Sequence, residues 1–300
     1  MSTLMTAHSV TSADPGAPAA SSSHENPSAK HLDVYISLSR LAPFHASALK
    51  LMNISVEGDS AFADFEEAFK GDPALTADLL LVANSVEFGL RARIETIRHA
   101  LTFLGLERVR SLGCTIAFSF YVRNVPRTPY MASVWEHSLA TAVLAEFMGK
   151  LCRQQSVYTS GLTHDLGRLA LFLSLGPEYA AHMAKPFESE EEAEVVELAE
   201  FGIDHCEAGA KVAVQWGFPE TLRTMMLEHH NEIKGNPRDP LNLVRAACRM
   251  ASSLGFREVE APALPYDDVL PEIFRRNADF EPEALREQVK QRIAALKLAK

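Results

Sequence analysis

The sequence lacks closely spaced cysteines. Its four cysteines, Cys114, Cys152, Cys206 and Cys248, lie far apart and form no CxxC pair. Disulfide frameworks and structural zinc sites need such spacing, so neither is expected here. A reducing cytoplasm fits this pattern better than an oxidising compartment.

The sequence also lacks a long apolar run. Its longest candidate for a membrane span, Ser111 to Val122, has 12 residues and is bounded by arginines, whereas a span needs about 20. The N-terminus has no basic segment followed by an apolar one, so no signal peptide is expected. We therefore expect a soluble, cytoplasmic protein without a membrane partner.

Positive charge is scarce as well. The chain has 29 Lys and Arg against 39 Asp and Glu, for a net charge of -10. Nucleic acids and anionic membranes attract a basic face, so neither is an expected partner.

Two short helices meeting at Gly105, over 95–104 and 107–112, have the length of a helix-turn-helix. We interpret them as a helical hairpin packed on the core, with solvated arginines at positions 91, 93, 98, 108 and 110.

Alternating strand patterns and internal repeats are missing, whereas helical periods cover nearly the whole chain from residue 31. Phe62, Phe65 and Phe69 have the spacing of one helix face. Asp72 and Pro73 have the order of an N-cap followed by the first helical residue. The fold class is therefore predicted to be all-α. Residues 1–30, rich in Ser, Ala, Pro and Thr, are predicted to form a disordered tail.

Two further segments carry strong charge or apolar patterns. The stretch from Pro186 to Glu207 contains nine acids and no Lys or Arg. We interpret it as a solvated helix face, with a lid over a metal site as the alternative. The C-terminal segment places Leu285, Val289, Ile293 and Leu296 on one stripe, which either folds back on the body or contacts a partner, so an oligomer could form through this helix.

Histidines and one aspartate recur at inward-facing helical positions. His137 precedes the apolar stripe of its helix, and Asp165, beside His164, shares a face with apolar residues of its own helix. His205, His229 and His230 lie in two later helical segments. Helical bundles hold metals with such inward imidazoles and carboxylates, and iron, zinc and manganese suit these ligands. The alternative is a polar core in which each side chain is satisfied by its neighbours.

The order of these residues resembles the HD superfamily of helical metal-dependent phosphohydrolases. Within it, the chain is similar to the HDOD proteins, the HD-related output domains of bacterial signalling. The resemblance covers about residues 33–255. It is carried by "GDPALTADLLLVANSVEFGL", "IRHALTFLGLERVRSL", "WEHSLATAVLAE", "SGLTHDLGRLAL", "DHCEAGAKVAVQWGFPETL" and "EHH".

This resemblance implies a multi-helical HD-like bundle with an N-terminal helical subdomain. We place the HDOD domain at 31–255, with an N-terminal part at 31–125 and the bundle at 126–255. A C-terminal helical extension occupies 256–300. The resemblance also implies that one or two divalent ions bind at the positions that match metal ligands in catalytic relatives: His137, His164, Asp165, His205, His229 and His230.

Two departures from the HD pattern bear on catalysis. Arg168 stands where the HD pattern usually has lysine; it is expected to bind phosphate or another anion but cannot act as an acid at neutral pH. Cys248 stands where HD enzymes carry a late aspartate. We therefore expect a non-catalytic signalling module that binds a protein partner or a small ligand. The alternative is a metal-dependent phosphohydrolase acting on a nucleotide or cyclic dinucleotide.

Overall fold

The computed structural model describes residues 27–56, 58–85, 93–123, 125–275 and 277–297. Within these ranges the chain is all-α, as predicted, with one isolated strand-like bridge between Pro186 and Glu260. No helix of the described ranges is long and apolar enough to cross a membrane. Residues 1–26, which form most of the predicted tail, lie outside these ranges, and the first helix begins at Pro27.

The described residues of the N-terminal part form six helices. The three phenylalanines predicted to share one helix face lie on one helix, where Phe65 and Phe69 are buried and Phe62 is 42% exposed. Helical spacing gives side chains a common direction, but it does not guarantee each of them a neighbour to pack against. The six helices are α1 (Pro27–Ser39), α2 (Ala46–Asn53), α3 (Ala61–Lys70), α4 (Pro73–Ala83), α5 (Ile97–Leu104) and α6 (Leu106–Arg123).

Helix α6 organises this part of the fold. It contacts α2, α3, α4 and α5, and its residues from Val109 to Phe118 are all buried. The turn at Gly105, with φ of 81°, separates it from α5 as predicted. The prediction of two short helices was wrong, because α6 continues to Arg123. A DNA-reading helix must expose one face, so the burial of α6 favours the packed-hairpin interpretation. The expectation of solvated arginines was wrong at Arg108 and Arg110, because they pair with Glu146 and Glu107 against the core.

Eight helices form the bundle, and the longest of them, α7, packs between α8 and α14. Helix α9 packs on α12, which also contacts α13. Helix α1 packs on α9, α11 and α12, so this N-terminal helix belongs spatially to the bundle. The eight are α7 (Pro129–Cys152), α8 (Val157–Thr163), α9 (Leu166–Leu175), α10 (Pro177–Met183), α11 (Glu190–Phe201), α12 (His205–Trp216), α13 (Glu220–Glu228) and α14 (Pro240–Ser253).

The C-terminal extension contains α15 (Tyr266–Val269), two short 3-10 helices (Glu272–Phe274 and Ala278–Phe280) and α16 (Pro282–Lys297). All four residues of the predicted apolar stripe on α16 are buried, and α16 packs on α7. The first of the two alternatives therefore applies: the helix folds back on its own chain, and the stripe is not presented to a partner.

The N-cap of α4 gives a direct test of the local fold. Asp72 Oδ1 accepts a hydrogen bond of 2.9 Å from the Leu75 amide, and Oδ2 lies 3.0 Å from His45 Nε2. We expect Asp72→Ala to lower the free energy of unfolding by about 1 kcal/mol, a typical cost of a lost cap. Urea denaturation measures it. Asp72→Asn keeps an oxygen that can accept the cap hydrogen bond, so its free energy of unfolding should fall much less. An equal decrease in the two variants would contradict the N-cap assignment.

Candidate metal centre

The predicted metal ligands come from four places in the bundle. His137 lies on α7, His205 is the first residue of α12, and His229 and His230 directly follow α13. His164 and Asp165 lie in the break between α8 and α9, where the chain leaves one helix and enters the next. The ends of α8, α9, α12 and α13 meet the middle of α7 at this point, so side chains of separate helices converge on one spot.

The structure brings all six residues together around Asp165. His205 Nε2 and His229 Nε2 lie 3.4 and 3.6 Å from Asp165 Oδ1, and His164 Nε2 lies 4.0 Å from Oδ2. His137 Nε2 is 3.2 Å from His164 Nε2, and His205 Nε2 is 3.0 Å from His230 Nε2. All are buried except His230, which is partly exposed.

Each imidazole presents Nε2 to this cluster and has its Nδ1 beside an oxygen acceptor. The distances from Nδ1 to these oxygens are between 2.6 and 3.0 Å. Such partners fix the Nδ1–H tautomer and leave a lone pair on Nε2, which is the arrangement found around metal-bound histidines. The acceptors are Phe256 O and Glu258 for His137, Gly161 O for His164, Glu197 for His205, Met226 O for His229 and Glu194 for His230.

Nε2 lone pairs that face each other are unfavourable unless a positive charge lies between them. Two ligands placed about 2.1 Å from a metal and at right angles to each other are about 3.0 Å apart, close to the 3.2 and 3.0 Å observed. Neither oxygen of Asp165 nor Nε2 of His229 makes a hydrogen bond within the described part of the chain. Arg168 and the imidazoles lie near Asp165 without forming well-aligned hydrogen bonds to it, and a cation would satisfy these three atoms together.

A ring of acidic residues surrounds the imidazoles. Glu197 Oε2 lies 2.6 Å from His205 Nδ1, and Glu258 Oε2 lies 3.0 Å from His137 Nδ1. Tyr179 donates a hydrogen bond to Glu197. The prediction of a solvated acidic face was wrong, because α11 turns Glu194 and Glu197 towards the cluster. The spacing i, i+4, i+7 of positions 190, 194 and 197 could have indicated that these acids share one helix face. No such sequence signal was available for Glu258, which lies after the bundle helices.

Arg168 lies inside this ring and is 1% exposed. Its guanidinium nitrogens are 3.3 Å from Asp165, 3.7 Å from Glu197 and 4.0 Å from Glu258. Three buried carboxylates therefore share one permanent positive charge. Protons on the imidazoles or a divalent cation must supply the remaining charge. The guanidinium faces internal carboxylates, so its predicted role in binding an external anion gains no support from this position.

Without a bound cation, a proton on His137 would supply part of this charge, and a metal ion would have to displace that proton. Burial opposes charge on His137, but Glu258 and Cys248 outweigh burial and raise its pKa well above the usual range. Burial would raise the pKa of Glu258, yet His137 lowers it to about 2. Burial lowers the pKa values of His164 and His229, which keeps both imidazoles neutral and able to bind a metal.

Comparison with known proteins connects this geometry to a family. Residues 41–232 match the model of the HDOD domain. The chain belongs to the HDOD family. An HDOD protein of unknown function from Geobacter sulfurreducens has the same fold, with a TM-score of 0.66 and 22% identity over 89% of this chain and 97% of the other.

Two other solved structures share the fold at lower identity, and one curated relative matches by sequence. A Marinobacter aquaeolei protein, provisionally described as a signal transduction protein, has a TM-score of 0.61 and 16% identity, over 92% of this chain and 65% of the other. A Shewanella amazonensis protein, provisionally described as a metal-dependent phosphohydrolase, has a TM-score of 0.57 and 18% identity, over 90% and 99%. An uncharacterised Treponema pallidum protein is 24% identical over 68% of this chain, which spans 40% of that relative's length.

Two thiols complete the cluster of this HDOD protein. Cys248 Sγ lies 3.5 Å from His137 Nε2, at one end of the cluster. Cys206 Sγ lies 3.6 Å from His205 Nε2, at the other end. Burial raises the pKa of Cys248 to about 11 and that of Cys206 well above its usual value, so a bound cation would be required to deprotonate either thiol.

A glycine contact holds the two halves of the cluster together. Helices α9 and α12 approach so closely at Gly167 that a Cβ there would lie 1.7 Å from the His205 carbonyl oxygen. Gly209 on α12 faces the same contact. The small residues allow His205 to approach Asp165, because any side chain at 167 would push α12 away from α9.

We expect Gly167→Ala to destabilise the protein by about 3 kcal/mol or more, at the upper end of overpacking effects, since the obstacle is backbone. Thermal unfolding measures this loss. Gly58→Ala is the matched control, because the nearest atom to its added Cβ is the Ser60 hydroxyl oxygen at 3.8 Å. A Gly167→Ala protein as stable as the control would refute the close approach of α9 and α12.

Proposed function

We propose that this protein is a non-catalytic signalling module of the HDOD type that holds a transition metal in its bundle. The observation that carries the proposal is the set of Nε2 lone pairs that converge on Asp165, each with its Nδ1 fixed by an oxygen acceptor. Apart from the Thr141 hydroxyl, 3.4 Å from His137 Nε2, these nitrogens face one another, so either shared protons or a metal ion must lie between them. A signalling partner or small ligand would read the state of this module.

The donor set indicates which metals fit. Imidazole and thiol groups favour iron or zinc, and manganese fits the imidazoles and Asp165. The two ends of the cluster, one at His137, His164 and Cys248 and the other at His205, Cys206, His229 and His230, each place potential ligand atoms within 4.8 Å of one another. Asp165 lies between these ends, so one or two ions are accommodated.

The surroundings of the cluster disfavour turnover. A bound metal would supply Lewis acidity and an activated water in a catalytic relative. In this chain Asp165 already faces Arg168, and Cys248 occupies the place of a carboxylate. The potential ligands are 0–3% exposed apart from His230 and Cys206, so Asp165 is nearly inaccessible to a phosphate ester. We therefore assign the centre a structural or sensory role.

A phosphohydrolase is the second candidate function. His230 Nδ1 and Glu194 Oε1, 3.0 Å apart, have side chains 17% and 27% exposed. They mark the most accessible edge of the cluster, and movement of α11 would open it. The provisional description of the Shewanella relative as a metal-dependent phosphohydrolase points the same way. The substrate would then be a nucleotide or cyclic dinucleotide.

The test is to measure metal content, stability and activity together. We expect wild-type protein from metal-rich medium to carry at least one first-row ion per chain. Asp165→Ala should lose the metal and lower the melting temperature, because binding to the folded state adds to its stability. His99→Ala, which replaces a histidine outside the cluster, should retain the metal content and the melting temperature of the wild type. Neither wild type nor variant should hydrolyse cyclic dinucleotides or bis(p-nitrophenyl) phosphate.

Two results would overturn parts of this proposal. Wild-type protein that binds no metal on titration would make the cluster a polar core. Metal-dependent hydrolysis by the wild type that Asp165→Ala abolishes would establish the second candidate function.

The two thiols generate a separate prediction. Cobalt(II) bound by a thiolate has an intense near-ultraviolet charge-transfer band that imidazole and carboxylate ligands alone do not give. We expect this band in the cobalt-loaded wild type and a weaker band in both Cys206→Ser and Cys248→Ser, since a hydroxyl is a poor ligand for a soft metal. Cys152→Ser, outside the cluster, is the control. A cobalt spectrum unchanged in both cluster variants would show that the thiols are only core residues.

A further inference from the structure

A cavity of about 580 Å³, which we call the second cavity to keep it apart from the metal centre, is lined by the face of α7 opposite His137. Its walls come from the C-terminal end of α6, the segment 125–128, the first turns of α7 and the end of α16. Pockets for small ligands are typically about 300–1,000 Å³. None of the proposed metal ligands lines this cavity, so the following inference does not depend on the metal.

The walls of this cavity are mainly apolar. They include Val125, Met131, Trp135, Leu139 and Leu296. Such walls favour a ligand with a large apolar part, because binding removes the apolar surface of the ligand and of the walls from water. Trp135 and Leu139 lie four residues apart on α7 and therefore share one helix face.

The hydroxyl groups in the wall already have partners within the protein. Thr115 donates to the Ser111 carbonyl and lies 2.8 Å from the Tyr158 hydroxyl. Ser119 donates to the Ile116 carbonyl. A nucleobase or sugar needs several hydrogen-bond partners when it is buried, and these hydroxyls are not arranged to provide them. An alkyl chain needs none.

The edge of the cavity is positively charged. Arg123 and Arg127 both contribute to its lining and are exposed, and the described lining residues include no Asp or Glu. The Arg123 guanidinium lies 5.0 Å above the Phe120 ring, which holds it near the edge. Arg123 and Arg127 thus place two positive charges at the edge of the cavity, on a protein whose net charge is -10.

We propose that this cavity binds a single-chain amphipathic carboxylate of the fatty-acid class. The alkyl chain lies against the walls of α6, α7 and α16, and the carboxylate faces Arg123 and Arg127. Guanidinium groups bind carboxylates with charge-assisted hydrogen bonds, and the apolar walls provide the hydrophobic contribution.

Isothermal titration of the full-length protein tests the proposal, with each probe below its micelle concentration. We expect dodecanoate to bind one per chain, and dodecanol and butyrate to bind at least tenfold more weakly, because each lacks either the charge or the chain. The double variant Arg123→Gln/Arg127→Gln should lose at least tenfold in dodecanoate affinity and leave dodecanol affinity unchanged. Arg40→Gln/Arg93→Gln, at exposed arginines that do not line the cavity, is the charge-matched control.

Tryptophan fluorescence locates the site. The chain has two tryptophans, and only Trp135 lines the cavity, whereas Trp216 packs among Phe44, Tyr121 and Phe218. Saturation with dodecanoate should change the wild-type emission, and Trp135→Phe should abolish this change while retaining binding by titration.

Three results would overturn the proposal: no saturable binding of dodecanoate, equal affinity for dodecanoate and dodecanol, or equal losses in the two arginine double variants. Saturable binding with an emission change that persists in Trp135→Phe would place the ligand elsewhere and would also refute this site.

Discussion

The bundle depends on a buried carboxylate that must remain charged. Asp165 is 2% exposed, and burial alone would raise its pKa, but Arg168 and the neighbouring imidazoles keep the pKa well below its usual value. An ionised carboxylate in a protein interior is tolerated only when other groups surround and neutralise it. Helices α7, α9, α12 and the end of α13 provide these groups. The positions of these helices are therefore constrained by electrostatics as well as by apolar packing.

Sequence reasoning identified the inward-facing histidines and Asp165 but not the residues that support them. His137 and Asp165 follow the apolar period of their helices, and this period is a local property that the sequence contains. Glu258 approaches His137 because Phe187 N donates a hydrogen bond of 2.8 Å to Glu260 O, which ties the segment after α14 to the start of the acidic stretch. Such a long-range contact leaves no periodic signal. The boundary placed at 255 accordingly separated Glu258 from the cluster to which it belongs.

The acidic stretch shows why composition alone led to a wrong interpretation. Most acids in a helix are solvated, and this expectation is correct for Glu191 and Glu200 of α11, which are exposed. Glu197 differs because its neighbours in the fold, Arg168, Tyr179 and His205, come from three other segments and together offset its burial. The sequence contains the spacing that puts Glu194 and Glu197 on one face. It does not contain the information that this face meets a cationic and imidazole-rich interior.

Helix α7 physically connects the centre with the second cavity. Trp135 and His137 are two residues apart, which places them on nearly opposite sides of the helix. A ligand against Trp135 therefore lies away from His137, and displacement of α7 would carry its effect to that side chain. Towards its C-terminal end, Glu146 pairs with Arg108 of α6 at 2.9 Å and with Arg292 of α16 at 3.2 Å. Helices α6 and α16 also line the cavity. A ligand that separates them would therefore displace both the C-terminal end of α7, which Glu146 holds, and the wall around Trp135. The geometry thus favours a rigid displacement of α7 over a local change at one side chain, and His137, packed against His164 and Glu258, would move with it.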